Sequence, residues 1–319
     1  MIKRIYPAIL AMTLLLSACA PSGVGAQPSE RRQIVASIFP QYEFARAVFG
    51  GLADVTLLLP PGAESHSFDP TQADIMAVAG CDLFIYTGSE GEPWAERILK
   101  GISAPSLDLS QGIDLLTEEE EEAASEAISG RHDEDGQDHH GHGHTYDPHI
   151  WTSPLNAQMM VRAIADKAAG LDPPHADIYH QNAEDYCAEL QKLDDRLRET
   201  VSRAVRRELM FGGRFAFGYL TYEYGLAWTA AYDSCSHESE PTIATVVEMI
   251  DEIREEGIPV IYYEELSRPA IALLISGETG AKMRLLHGCA NLSTDELMRG
   301  ETFLSIMNRN IDYIEEGIC

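Results

Sequence analysis

Cations are scarce in this chain: 23 lysines and arginines stand against 51 aspartates and glutamates, for a formal net charge of −28. A surface this acidic repels phosphate backbones and anionic lipid, which argues against nucleic-acid binding, and it concentrates cations around itself. Cysteine pairs are missing too. The six cysteines, at 19, 81, 187, 235, 289 and 319, make no CxxC and no clustered framework, so the chain is no small disulfide scaffold. There is no HExxH helix, no GxSxG elbow and no Walker-type glycine loop, which removes the commonest signatures of zinc proteases, α/β-hydrolases and nucleotide-binding enzymes. The N-terminal apolar run, Ile5 to Leu16, falls short of the ~20 residues a helix needs to span hydrocarbon.

That run follows Lys3 and Arg4 and ends in Leu16-Ser17-Ala18-Cys19, the order of a secretion signal with a lipobox. Residues 1–18 are expected to be removed, leaving Cys19 as a lipid-bearing N-terminus, with residues 19–32 as a flexible tether rich in Pro, Ser and Gly. The mature protein is then extracytoplasmic and anchored to the cell membrane. About 290 residues remain, enough for one large domain or two ordinary ones. Cys81, ahead of the apolar run Leu83 to Tyr86, reads as buried packing, and export permits a disulfide between Cys235 and Cys289.

Short apolar runs alternate with segments of helical period in both halves, the pattern of an α/β fold. Strands are expected at Ile34 to Phe39, Val55 to Leu59, Leu83 to Tyr86 and Ser106 to Leu109, and again at Glu208 to Phe211, Leu226 to Ala231, Pro259 to Tyr263 and Met283 to Leu286. The result is two similar α/β lobes, 33–172 and 208–319, joined by one long rigid helix over 173–207. Leu190, Leu193, Leu197 and Val201 in that helix keep the three-and-four spacing of a buried stripe. One stretch, 111–147, fits neither lobe. Five carboxylates at Glu118 to Glu122 lead to five histidines between His132 and His144, and the segment reads as an acidic, metal-attracting loop with no core of its own.

Two further histidines sit in specific surroundings. His66 lies in Leu59-Pro60-Pro61-Gly62-Ala63-Glu64-Ser65-His66, where a strand gives way to a turn, and His149 lies in Asp147-Pro148-His149-Ile150-Trp151 before a helix. Loops at strand ends are where α/β folds build ligand sites. These stretches, with Glu92-Pro93-Trp94, Ala216-Phe217-Gly218-Tyr219, Tyr224-Gly225-Leu226 and Thr302 to Asn310, resemble the solute-binding lipoproteins of zinc and manganese ABC importers over essentially the whole mature chain. The resemblance implies a metal site in the cleft between two helix-linked lobes, delivery of the metal to an importer permease, and no catalysis.

Carried over position by position, the resemblance makes His66 and His149 the first-lobe ligands. The third ligand position is occupied by Arg214, whose guanidinium stays protonated and offers no lone pair. His287, after the strand Met283 to Leu286, is then expected as the second-lobe ligand, with Glu240 or water as the fourth and Arg214 as a charge partner for a carboxylate or a lock between lobes. Three imidazoles and at most one carboxylate favour Zn2+, with Mn2+ as the alternative. Two other readings stay open at this point. One is a surface adhesin or metal buffer on the same scaffold. The other is a zinc hydrolase, because three protein ligands and a water also make a catalytic zinc site.

Overall fold

The computed structural model describes residues 31–130, 146–232 and 241–319. Residues 1–18, Cys19, the histidines of 132–144, Cys235 and Glu240 lie outside this set.

The N-terminal lobe is built on β1 (Arg32–Ala36), β2 (Ala53–Leu57), β3 (Leu83–Tyr86) and β4 (Ser106–Asp108), all parallel, in the order β2-β1-β3-β4. The helices between them are α1 (Phe39–Phe49), α2 (Gln72–Gly80), α3 (Gly88–Gly91) and α4 (Pro93–Gly101), followed by α5 (Glu118–Ser129) and α6 (Pro154–Leu171). A parallel sheet covered on both faces needs strands that are apolar throughout. Leu83-Phe84-Ile85-Tyr86 is buried at all four positions.

The spine is α7 (Ala176–Ser202), whose 27 residues span about 40 Å at the usual helical rise. Its buried stripe includes Tyr179, Ala183, Cys187, Leu190, Leu193, Leu197 and Val201. A 3-10 turn at Pro173–His175 precedes it. Beyond it the chain turns away to give the Val205 N–H to the Ile318 carbonyl at 2.8 Å.

The C-terminal lobe repeats the plan with β5 (Glu208–Phe211), α8 (Gly218–Tyr224), β6 (Ala227–Ala230), α9 (Ile243–Glu256), β7 (Val260–Tyr263), α10 (Ala270–Thr279), β8 (Lys282–Leu285), α11 (Thr294–Met298) and α12 (Phe303–Ile318). Its sheet order, β6-β5-β7-β8, is the same pattern one lobe later. In each sheet the order reverses beside the first strand, between β1 and β3 and between β5 and β7, which opens a crevice at their carboxyl ends. One hydrophobic cluster runs through both lobes: Phe44 of α1, Leu197 of α7, and Phe303 and Ile311 of α12 belong to it, while α9, α10 and the strands they cover enclose a second, smaller one in the C-terminal lobe. No helix among the described residues is long and apolar enough to cross a membrane.

One expectation is corrected. The acidic stretch read as a loop without a core folds, over Glu118–Ser129, into α5. Thr117 and Glu120 form a reciprocal capping box at its start, and the carboxylates of its first turn face the positive end of the helix dipole. Cys289 is a free, fully buried thiol, and Cys235, the partner that the sequence permits, lies outside the described residues.

Candidate metal centre

The turn after β2 carries His66 to the mouth of the interlobe cleft. Gly62 takes a φ of +82°, a conformation that glycine adopts without strain. The Glu64 carboxylate accepts the N–H groups of His66 (3.2 Å) and Ser67 (3.1 Å). Burial works against the Glu64 charge, but the His66 imidazole and these N–H bonds outweigh it and hold its pKa below the usual range. The indole of Trp94, one residue inside α4, donates to the Ser65 carbonyl at 2.9 Å and packs edge-on against Phe68. From the other lobe, the Asn291 amide donates to the carbonyls of Pro60 and Ala63.

His149 arrives from a separate segment. Asp147 Oδ1 accepts both its backbone N–H (2.8 Å) and its ring Nδ1–H (2.7 Å). With the Nδ1 proton committed to the carboxylate, Nε2 is left as a lone-pair donor, the arrangement that fixes the tautomer and orientation of a metal-binding imidazole. His149 is 5% exposed, and its ring centroid lies 5.5 Å from that of His66, nearly edge-on. Trp151 holds the segment to the other lobe by donating to the Gly288 carbonyl at 2.7 Å.

Both histidines line a cleft of about 90 Å³, and Arg214, Glu264 and Glu265 line its opposite side. The two glutamates follow β7 directly. Glu264 accepts the Arg214 N–H at 3.1 Å, and a Cβ on Gly213 would come within 1.7 Å of its carboxylate, so this approach requires glycine. Glu265 accepts the Gly288 N–H at 2.8 Å. The Arg214 guanidinium lies over the Tyr232 ring at 5.8 Å. Among the described residues no three His, Cys, Asp or Glu side chains stand close enough to form a finished metal cage. Two imidazoles are paired on one wall, and carboxylates face them across the gap.

His287 is placed elsewhere. It is fully buried behind the cleft wall, where Nδ1 accepts the Cys289 N–H at 3.0 Å and the ring lies between Glu265 and Glu296, each 3.6 Å from one nitrogen. The structure therefore brings His66 and His149 together and leaves His287 out of the cleft, while Glu240 lies outside the described residues. Sequence reasoning missed Glu264 and Glu265. The available signal was a pair of carboxylates at the carboxyl end of a strand beside the point where sheet order reverses.

Two matching α/β lobes on a rigid helix, with paired imidazoles and carboxylates facing into the cleft between them, define a binding protein for a divalent metal ion. The family of periplasmic zinc-uptake complex component A, ZnuA, matches residues 34–317, and the chain belongs to it. It is 33% identical over 316 residues to the high-affinity zinc uptake system protein ZnuA of Bacillus subtilis, covering 97% of this chain and 96% of that one. It is 30% identical over 307 residues to the zinc-binding lipoprotein AdcA of Streptococcus pneumoniae, covering 95% of this chain and 58% of AdcA. Among solved structures it is similar to the metal-dependent lipoprotein YcdH of B. subtilis, with a TM-score of 0.75 at 30% identity over 90% of this chain and 99% of that one. It is also similar to the laminin-binding protein Lmb of Streptococcus agalactiae, described as having adhesin and metal transporting activity, with a TM-score of 0.74 at 25% identity, covering 90% and 99%.

Proposed function

We infer that this chain captures zinc outside the cytoplasm and delivers it to an ABC importer permease in the cell membrane, with lipid on Cys19 holding it there. The observation that carries this reading is the pairing of His66 with His149, whose Nδ1 is fixed by Asp147 so that Nε2 is offered to the cleft. Zinc is cargo here, and the chemistry is capture and release. His66 and His149 supply the imidazoles at about 2.0–2.1 Å. Glu265 supplies the donor from the other lobe, the part expected of His287, and Glu240 or water completes four-coordination. Two imidazoles and a carboxylate are a known zinc set, whereas manganese is better served by oxygen alone.

Glu64, Glu264 and Glu265 surround the two rings and favour entry of a cation. An imidazole coordinates only when neutral, so protons compete with zinc for the ring and affinity falls as the pH is lowered. The test is growth under zinc limitation. Cells lacking this chain should need added zinc, and the wild-type chain should restore growth while the His66→Ala/His149→Ala variant does not. Full restoration by the double variant would overturn the reading.

A further inference from the structure

Residues 287–292 link β8 to α11, and Gly288, Ala290 and Asn291 among them line the cleft. The segment is anchored on α12, where the fully buried Asn310 accepts the His287 N–H at 3.0 Å and donates to the His287 carbonyl at 2.8 Å. Next, the Gly288 N–H donates to Glu265 Oε2 at 2.8 Å, and the Gly288 carbonyl accepts the Trp151 indole at 2.7 Å. The Ala290 carbonyl accepts the Phe39 N–H at the start of α1. Asn291 then grips the His66 turn. Its amide donates to the Pro60 and Ala63 carbonyls at 2.7 and 2.8 Å, and the Leu292 carbonyl accepts the Gly62 N–H at 2.7 Å. Asn291 is 1% exposed and its Oδ1 accepts the Leu292 N–H at 2.8 Å, so the amide cannot turn over without setting its oxygen against two carbonyls. Backbone strain marks the same place. The non-glycine residues with left-handed backbone among the described residues are Leu266 (φ +60°) and Cys289 (φ +63°). One directly follows Glu265, and the other directly follows the glycine bonded to Glu265. Such strain persists where surrounding bonds over-determine the backbone, as at ligand clamps.

We propose that residues 287–292 are a strap that sets the spacing of the zinc donors, and that Asn291 is a positioning residue for His66. One short segment of the second lobe holds Glu265 directly, the His149 segment through Trp151, and the His66 turn through Asn291. The three donors thus share one frame, and the imidazole pair of the first lobe is brought into register by the second. His287 gains a part as well: its backbone ties the strap to α12, and its Nδ1 holds Cys289 in the left-handed turn. This rests on the reading of His66, His149 and Glu265 as zinc donors. Asn291 bonds the carbonyls of the turn and not the ring, so its effect on zinc passes through His66.

The experiment is a zinc titration against a competing chelator, with visible Co2+ spectra and denaturant unfolding of the same proteins. The variants are Asn291→Ala, His66→Ala, their combination, and Val246→Ala in the smaller C-terminal core as a control for lost stability alone. Asn291→Ala should cost about tenfold in zinc affinity, the low end for a group that orients a ligand, and alter the Co2+ bands, which report ligand geometry. Val246→Ala should lower stability while leaving affinity and bands as in the wild type. In the His66→Ala background, Asn291→Ala should change the residual affinity by less than about twofold, because the residue through which it acts is gone. Asn291→Ser, whose shorter hydroxyl can serve only one of the two carbonyls, replaces Asn291→Ala throughout if that variant fails to fold. Wild-type affinity and bands in the folded Asn291 variant, an equal loss of affinity in Val246→Ala, or a full-sized loss that persists without His66 would overturn the positioning role. Unchanged affinity in His66→Ala would instead overturn the metal site on which it rests.

Discussion

At the scale of single residues the site depends on a few carboxylates that fix other groups. Asp147 takes both donors of His149, so Asp147→Ala frees the ring to rotate and should cost about 10–100-fold in zinc affinity, read by chelator competition. Glu265→Ala should cost at least about tenfold by the same measurement, and wild-type affinity in that variant would place the opposite-lobe donor elsewhere. Glu92 plays a different part. It is 1% exposed beneath the cleft, at the carboxyl ends of β1 and β3, where its carboxyl accepts the Gln41 amide at 3.2 Å. Burial pushes it from near 4.5 up to about 7, against the pull of polar neighbours that include the Gln41 amide. The folded protein therefore holds this proton more tightly than the unfolded chain does. The stability it contributes is full below about pH 4.5 and is lost as pH rises through about 7, a span worth roughly 3 kcal/mol. Glu92→Gln should remove that slope from denaturant-unfolding free energies measured between pH 5 and 8, and an unchanged slope would contradict the assignment.

At the scale of elements, the parts legible in the sequence are those whose local pattern agrees with their burial. Leu83 to Tyr86 reads as a strand because all four residues are apolar, and it is one. His66 and His149 stood out because each sits in a long distinctive motif, and both line the cleft. α5 was hidden by its composition. Five successive glutamates look like a solvated face, and the Thr117-to-Glu120 capping box that starts the helix is a quieter signal than the charge run after it. The second-lobe carboxylates that line the cleft were harder still. Glu264 and Glu265 reach the cleft only because β7 lies beside the point where the sheet order reverses, a relation no sequence window contains, while His287, two residues beyond β8, turns inward to accept the Cys289 N–H. α4 matters for the same reason as its neighbours: it holds the His66 turn through one indole bond. Trp94→Phe keeps most of the packing but strands the Ser65 carbonyl, so it should cost about 1–3 kcal/mol in thermal or denaturant unfolding. Zinc affinity should fall with it, since the turn it steadies carries His66.

At the scale of the whole molecule, the lobes are not free to swing. α7 runs between them, one core passes through both, and Asn291, Trp151 and Ser125 each bond across the gap. Zinc should draw the cleft walls together by small loop movements, so the radius of gyration, about 19 Å for a fold of this length, should change by less than about 1 Å in solution scattering. A change of several ångströms would mean a hinge that this architecture does not contain. The net charge of −28 acts at longer range, and zinc association should slow as salt screens it. The central claim is that the cleft, and not the histidine-rich stretch at 132–144, is the capture site. The measurement that tests it most directly is a calorimetric zinc titration of the wild type, of the His66→Ala/His149→Ala variant and of a chain lacking residues 132–144. One tight equivalent that survives the deletion and disappears in the double variant is the expected result. Tight binding that disappears with the deletion and persists in the double variant would contradict it.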